Sequence, residues 1–514
     1  MLTRTDLDVL LREDGDSRPV ALIIGAGLGG LAAAIRLGAK GYRAVILDRL
    51  DSPGGRGTAV HKGGHRFDLG PTIVTVPQVF EDLWAVAGRS FRDEIDLVHL
   101  DPYYTIRFPD GSDFTVSSDP AQMREEVRKL SPGDVGGFDR FMDDSERRYR
   151  FGFEDLGRRP MNELWKLIKV LPIFGYYRAD RSIYQHAALR MKDERLRMAF
   201  SFHPLFIGGD PFHVTSMYAL VSHLEKAFGV HYAMGGVAAI AEGMARIISD
   251  QGGLIRYGVD VDEILVTDGR ARGVKLASGE QVSADIVVSN ADAGHTYSHL
   301  LRRLHAKRWT DRKLDRSRWS MSLFVWYFGT KGTKDMWGDV GHHTIVNGPR
   351  YRDLVHDIFI KGRLADDMSL YIHRPSVTDP TCAPEGDDTF YALSPVPHLG
   401  FEKPVDWERE LEPYRRKVAA ELEKVIPGFE ARLTESHIMT PFDFRDRYRS
   451  PHGAGFSLEP RILQSAWFRP HNISESVRGL YLVGAGTHPG AGLPGVVSSA
   501  EVLDQLVPEA AHAR

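Results

Sequence analysis

Cysteine is almost missing: Cys382 is the single one in 514 residues. That excludes an intramolecular disulfide, a CxxC redox pair and every multi-cysteine zinc or iron-sulfur site, and it suits a reducing compartment. Net charge is small as well. The 65 basic and 69 acidic side chains leave −4, so there is no basic field to hold a phosphate polymer by counterion release, and nucleic acid is not an expected partner. Nor is there an unbroken apolar span. The longest uncharged run, 479–500, is cut by Gly484, Gly486, Pro489, Gly490, Gly492, Pro494 and Gly495, and it reads as a strand, a loop and a helix start. Residues 1–20 scatter charges through their apolar positions and lack the core of a signal peptide, which makes the cytoplasm the expected location. The remaining profile, 42% hydrophobic and 26% charged, is that of a globular chain with room for about three domains.

Glycine is plentiful, and it is placed with purpose. Val20 to Ile24 is apolar throughout, which suits a strand buried on both faces of a parallel sheet. It runs into Gly25-Ala-Gly-Leu-Gly-Gly30 and then into Leu31 to Lys40, a helix-forming stretch that Gly41 can stop in a left-handed turn. Arg43 to Leu47 reads as a second buried strand ending at Asp48. A GxGxxG match alone is weak, but this context gives each glycine a task. Gly25 permits the tight turn, Gly27 lets the backbone approach a pyrophosphate, and Gly30 lets helix and strand pack closely, while the helix N-terminus offers N–H groups to negative charge. Asp48 stands where a carboxylate accepts hydrogen bonds from a ribose. After five intervening residues Gly54-Gly55-Arg56 adds a second glycine pair and a cation that can reach the same pyrophosphate. That extension favours FAD over NAD. Gly484-Ala-Gly486-Thr-His-Pro489 has proline where a third glycine is needed, so no separate nicotinamide site is expected. An electron acceptor from outside the chain, oxygen or a quinone, is then required. The Gly-rich turn instead opens the last helix, where N–H groups at Val496 and its neighbours can face the electron-rich edge of a flavin ring.

Three textures follow one another along the chain. From 132 to about 232 the pattern is long and helical with many arginines, and from about 254 to 290 it turns to short strands. Between roughly 300 and 465, runs such as Ser322-Leu-Phe-Val-Trp-Tyr-Phe328 and Met368-Ser-Leu-Tyr-Ile372 indicate a separate sheet-bearing domain. The expected class is α/β (α+β), a Rossmann-type FAD-binding domain with an inserted helical lobe and a sheet-bearing substrate domain. The discontinuous FAD domain takes 19–90, 235–298 and 470–514, the helical lobe 132–232, and the substrate domain 95–131 and 300–469.

With these motifs in place the chain resembles the bacterial phytoene desaturases, carotenoid desaturases within the amine-oxidase-like flavoprotein superfamily. Gly25 to Gly30, Asp48 and Gly54-Gly-Arg56 carry the superfamily level of the likeness. More specific are Arg66-Phe-Asp-Leu-Gly-Pro-Thr72, Ser201-Phe-His-Pro-Leu-Phe-Ile-Gly-Gly209, His342-His-Thr344, Ser394-Pro-Val-Pro-His-Leu399, Pro441-Phe-Asp-Phe-Arg-Asp446, Ser465-Ala-Trp-Phe-Arg-Pro-His471 and, above all, Leu480 to Gly495. The resemblance implies non-covalent FAD and a C40 polyene, phytoene and its partly desaturated products, taken from a membrane surface. It also implies stepwise hydride transfer giving neurosporene or lycopene, at the inner face of the cell membrane. It places FAD contacts on Gly25, Gly27, Gly30, Asp48, Gly54, Gly55, Arg56, Val261, Gly484, Gly486 and Val496, with Val261 ending an adenine-side strand that starts at Gly258. Asp48 departs from the glutamate common among relatives. A desaturase of a later, hydroxylated or methoxylated carotenoid, a carotenoid isomerase, and a non-catalytic prenyl-lipid carrier remain alternatives on the same fold.

The chemistry needs a hydride acceptor, alignment and a place for a proton. No serine elbow follows a strand, so acyl transfer is unsupported. Asp292, Asp443 and Asp446 could take a proton by residue type, but acids in turns commonly cap loops, and the catalytic residues stay unassigned. His342, His343, His373 and His398 could be drawn as a metal cluster. Adjacent His342 and His343 on a strand would point to opposite faces, however, and no metal is expected. Cys382 reads as an inert loop thiol. Finally, Arg158 to Arg190 carries seven cations against two carboxylates, interleaved with Trp165, Ile168, Phe174 and other apolar groups. That is the composition of a segment that docks on anionic lipid.

Overall fold

The computed structural model describes residues 15–301 and 306–512; residues 1–14, on which the leader reading mostly falls, lie outside them. The elements that frame the interior are β1 (Val20–Ile24), α1 (Leu28–Ala39), β2 (Arg43–Leu47), α2 (Leu164–Tyr176), α3 (Leu220–Phe228), β3 (Leu254–Arg256), β4 (Val261–Thr267), β5 (Ile286–Ser289), β6 (Ser322–Thr330), β7 (His343–Val346), β8 (Leu370–His373), β9 (Asp388–Val396), β10 (Leu433–Met439), β11 (Leu480–Leu482) and α4 (Leu493–Asp504).

A five-stranded sheet has the order β11-β5-β1-β2-β3, with every pairing parallel. Helices cover such a sheet, which is why its strands are continuous apolar runs and not alternating ones. Helix α1 packs between α4 and the helix Gly236–Asp250, and Ala32, Ala33 and Ala34 are fully buried there. Small side chains let three helices approach one another closely. This is the Rossmann-type α/β arrangement, with the ends of β1 and β2 opening toward the glycine-rich turn.

A seven-stranded, mostly antiparallel sheet has the order β10-β6-β9-β8-β7 and is extended by Tyr104–Arg107 and Asp113–Val116. Strand β6 is buried along its whole length because both faces are covered. Phe324, Trp326 and Phe328 pack toward the helix Trp407–Val425, and Leu323, Val325 and Tyr327 belong to the opposite apolar cluster. Between that second face and the helices of 135–228 lies the interior of the molecule.

Candidate functional site

The two glycine motifs are in direct contact. Gly25, at φ +96°, donates its N–H to Leu47 O at 2.8 Å. Gly54, at φ +105°, donates to Ala26 O at 2.8 Å. Both positions lie in the left-handed region where glycine carries no steric cost. A methyl group on Gly55 would sit 3.2 Å from Gly27 Cα, and one on Gly30 would sit 2.1 Å from Gly25 O. Asp48 ties the turn to the tip of β2, its Oδ2 accepting from Ala26 N–H at 2.6 Å and its Oδ1 from Leu50 N–H at 2.7 Å. Burial pushes this carboxyl up, and the two backbone N–H groups pull it back down.

Strand β4 starts at Val261, so Gly258 to Asp260 are not a strand as the sequence indicated. They form an irregular link in which the N–H groups of Gly258 and Val259 donate to Leu50 O and Asp48 O. Val261, the first residue of β4, follows that link and lines the cavity. Val496 lines the cavity too, but its N–H is already donated to Gly492 O at 2.9 Å. The amides ahead of it, at Leu493 and Gly495, are those that the first helical turn leaves without an intrahelical acceptor.

Two organising side chains act through partners that the sequence does not mark, although Arg469 lies in the Ser465–His471 run. Asn290 follows the end of β5, and methyl groups on Gly27, Gly29 and Gly484 would each come within 2.8 Å of its side-chain amide. The three glycines thus make a socket for one amide. Arg469 is buried and donates to the carbonyls of Leu458, Gln464, Ala485 and Thr487, which pins the Gly-rich turn. Gly484, at φ +94°, and Gly486 belong to that turn, and a methyl on Gly486 would lie 2.8 Å from Ala293 N.

Arg56 points inward and donates to Ser450 Oγ. Burial lowers its guanidinium and nearby Asp292 raises it. Among the described residues, Arg56 Nε and Asp292 Oδ2 are buried without a hydrogen-bond partner. Of the three acids considered for a proton, Asp443 closes a capping box with Thr440 and Asp446 pairs with Arg445 at 2.6 Å on the surface. Asp292 caps a turn by accepting from Gly294 N–H at 2.8 Å, lines the cavity, and is pushed up by burial.

One continuous cavity of about 690 Å³ joins these loops to an apolar region walled by Phe206, Leu224, Val325, Tyr327, Tyr371 and Tyr391. In that apolar region lies a polar trio that sequence reasoning missed. Glu225 Oε2 accepts from Tyr104 OH at 2.9 Å and stands 3.3 Å from His203 Nε2. Among the described residues, His203 Nδ1 is buried without a partner. The two partners are 22 positions apart, and no local pattern could have paired them.

Helix α2 sits at the cavity wall, which Leu167, Phe174 and the half-exposed Leu171 line. Trp165 and Ile168 are 55% and 59% exposed. The cations of this region do not form the free basic face expected from their count. Arg158 pairs with Asp82 and Glu501, Arg159 with Asp155, Lys166 with Glu163, Arg178 with Asp180, and Arg190 with Asp144. Among the described residues no helix is long and apolar enough to cross a membrane.

The histidines need a second correction. His342 precedes β7, so the alternation of a strand does not govern it, and its ring lies beside those of His343 and His373. His398 stands elsewhere, stacked on Phe401 at 4.6 Å. Cys382 is buried away from the cavity lining, and burial pushes its thiol up to about 12.

Residues 28–501 match the family of flavin-containing amine oxidoreductases. A neurosporene-forming phytoene desaturase of Cereibacter sphaeroides is 67% identical over 96% of this chain and 95% of its own. The chain belongs to the bacterial phytoene desaturase family of flavin-containing oxidoreductases. A lycopene-forming phytoene desaturase of a Paracoccus species is 42% identical, covering 95% of this chain and 97% of its own. Among solved structures, an oxidoreductase from Methanosarcina mazei shares the fold at a TM-score of 0.64 and 19% identity, covering 94% of this chain and 98% of its own. A flavin is therefore the cofactor, and the residues fit one. The glycine turns leave the backbone bare, and Arg56 holds an unpartnered buried donor beside them.

Proposed function

We propose that the chain is an FAD-dependent phytoene desaturase that holds its cofactor non-covalently and forms neurosporene. One observation carries this reading: a single cavity whose one end is built of nucleotide-type glycine turns and whose other end is apolar and aromatic. The FAD assignment draws on Gly25, Gly27, Gly30 and Asp48 for the adenosine side, and on Gly54, Gly55 and Arg56 for the pyrophosphate. Gly484, Gly486, Leu493 and Gly495 serve the ring side. Cys382 offers no tether, since it is protonated and outside the cavity. Neurosporene is preferred because the neurosporene-forming relative is 67% identical and the lycopene-forming one 42%.

Bound flavin supplies a two-electron hydride acceptor. The chain's own part is to strip water from the polyene, hold one C–C pair in line, and take the proton. Tyr327, Tyr371, Tyr391 and their apolar neighbours do the first two. The third falls to His203. With Nε2–H donated to Glu225, its Nδ1 keeps a lone pair that nothing else claims, and Glu225 steadies the imidazolium that forms. Incubation with phytoene in liposomes, followed by chromatography, should give neurosporene as the main coloured product. No desaturated product would overturn the reading, and lycopene as the main product would overturn its final step.

Membrane docking at the inner face of the cell membrane belongs to the same proposal. Phytoene has no polar group and stays in the acyl region, so the enzyme must meet it there. The exposed face of α2 supplies Trp165 and Ile168, while most neighbouring cations are already paired, so apolar insertion outweighs charge. At about 1.5–3 kcal/mol for each buried side chain, Trp165→Ala with Ile168→Ser should weaken liposome binding by at least about tenfold with little salt dependence. Flavin content should stay constant. Unchanged sedimentation with liposomes would place the contact elsewhere.

A further inference from the structure

The redox reading leaves one buried group of side chains unused. His343 opens β7 and its register partner is His373, the last residue of β8. His342 stands just before the strand, and its Nε2 is 3.1 Å from His373 Nε2. One ring nitrogen from each of the three lies within 4.8 Å of the others, and all three rings are buried.

The outer nitrogens are already held. His342 Nδ1 meets Thr378 Oγ1 at 2.6 Å, and His343 Nδ1 meets Tyr371 OH at 2.7 Å. A hydrogen bond on one nitrogen fixes the tautomer and aims the other, which is the usual outer shell of a metal-binding imidazole. Among the described residues His343 Nε2 has no hydrogen-bond partner, and a buried nitrogen left in that state is costly unless something occupies it.

We infer that His342, His343 and His373 form a three-imidazole site for a late first-row divalent cation, zinc foremost, behind the apolar end of the cavity. Neutral imidazoles suit zinc and its neighbours, and the lack of an oxygen cage rejects magnesium and calcium. Zinc–nitrogen bonds of about 2.0–2.1 Å in a tetrahedron put the nitrogens roughly 3.3 Å apart. The His342–His373 pair has nearly that spacing, and one nitrogen of the third ring lies within 4.8 Å of them.

Protons balance without loss. The Nδ1–H groups of His342 and His343 donate to Thr378 and Tyr371, which leaves lone pairs on their Nε2 atoms. His373 provides its own by moving one proton from Nε2 to Nδ1. The surrounding charge also permits a cation. Arg66 is held by Asp379 at 2.7 Å and lies 3.8 Å from Asp68, so two carboxylates face one guanidinium. Tyr232, which accepts from Arg66 at 2.8 Å, packs its ring 4.6 Å from that of His342.

The site touches the cavity through one chain of contacts. Tyr371 OH bridges His343 Nδ1 to Thr72 Oγ1 at 2.7 Å, and Thr72 and Tyr371 both line the apolar end. A bound ion would lock that wall.

The untagged holoenzyme, grown with added Zn²⁺ and washed with a weak chelator, is to be assayed by plasma mass spectrometry, with Co²⁺-grown protein as a second probe. About one equivalent of metal per chain is expected, falling below about one tenth in His343→Gln and in His373→Gln, with the flavin-to-protein ratio unchanged. Thr378→Val keeps all three ligands and should retain most of the metal, which covers the case of a ligand variant that fails to fold. Wild-type protein with less than about one tenth of an equivalent from either medium would overturn the site and leave a hydrogen-bonded histidine pair. Metal retained undiminished in both folded ligand variants would overturn it equally.

Discussion

Replacing His203 with glutamine should lower kcat for phytoene desaturation by roughly 10²- to 10⁴-fold, the range that a positioned general base contributes, while the protein keeps its flavin. Among the described residues, the acids along the cavity wall are Asp48, Glu225, Asp260 and Asp292. Asp48 is committed to the backbone of the first turn, Asp260 to Arg449, and Asp292 to a cap beside Arg56. Glu225 alone stands among apolar side chains, and it faces an imidazole. Glu225→Gln should fall less far than His203→Gln, because it removes support from the base and leaves the base itself in place. Full single-turnover reduction of flavin by phytoene in His203→Gln would exclude the residue from the chemistry.

Gly30→Ala is expected to purify without flavin. The new methyl group would lie 2.1 Å from Gly25 O, a backbone atom that no rotamer change can move. Helix α1 must then leave β1, which opens the turn between them and separates the two glycine motifs that now touch. Overpacking of this kind costs about 1–3 kcal/mol, enough to lower the thermal midpoint. Gly338→Ala is a fitting control, since nothing lies within 4 Å of its added carbon. Flavin absorbance per chain and a melting curve decide the matter. A Gly30→Ala protein with a full flavin complement and the parent midpoint would show that this turn is not the cofactor's seat.

The first turn was legible because its rules are local. A strand buried on both faces writes a continuous apolar run, a left-handed residue asks for glycine, and a helix stop follows within a few positions. β1 and β2 therefore begin and end where the sequence put them, and β6 runs two residues beyond its expected end. Asn290, Arg469 and the His203–Glu225 pair were not legible. Each acts across a long stretch of chain, and nothing beside it in sequence records the partner. The histidines differ from expectation for a smaller reason: the strand begins at His343, so its alternation does not set the direction of His342. The cations of 158–190 number as the sequence shows, but Asp82, Glu501 and Asp144, which neutralise Arg158 and Arg190, come from distant parts of the chain.

Helix α2 turns apolar groups in two directions, Leu167 and Phe174 toward the cavity and Trp165 and Ile168 toward the outside. A hydrocarbon sliding past it from lipid would exchange one oil for another, so little of the usual ~25 cal/mol per Å² of apolar burial is gained or lost on the way. Entry and exit are then nearly level in free energy. On the proposed docking, how many bonds are oxidised per visit becomes a race between the next hydride transfer and the slip back into the bilayer, and a stiffer or more fluid lipid should shift the product mixture without any change in the protein.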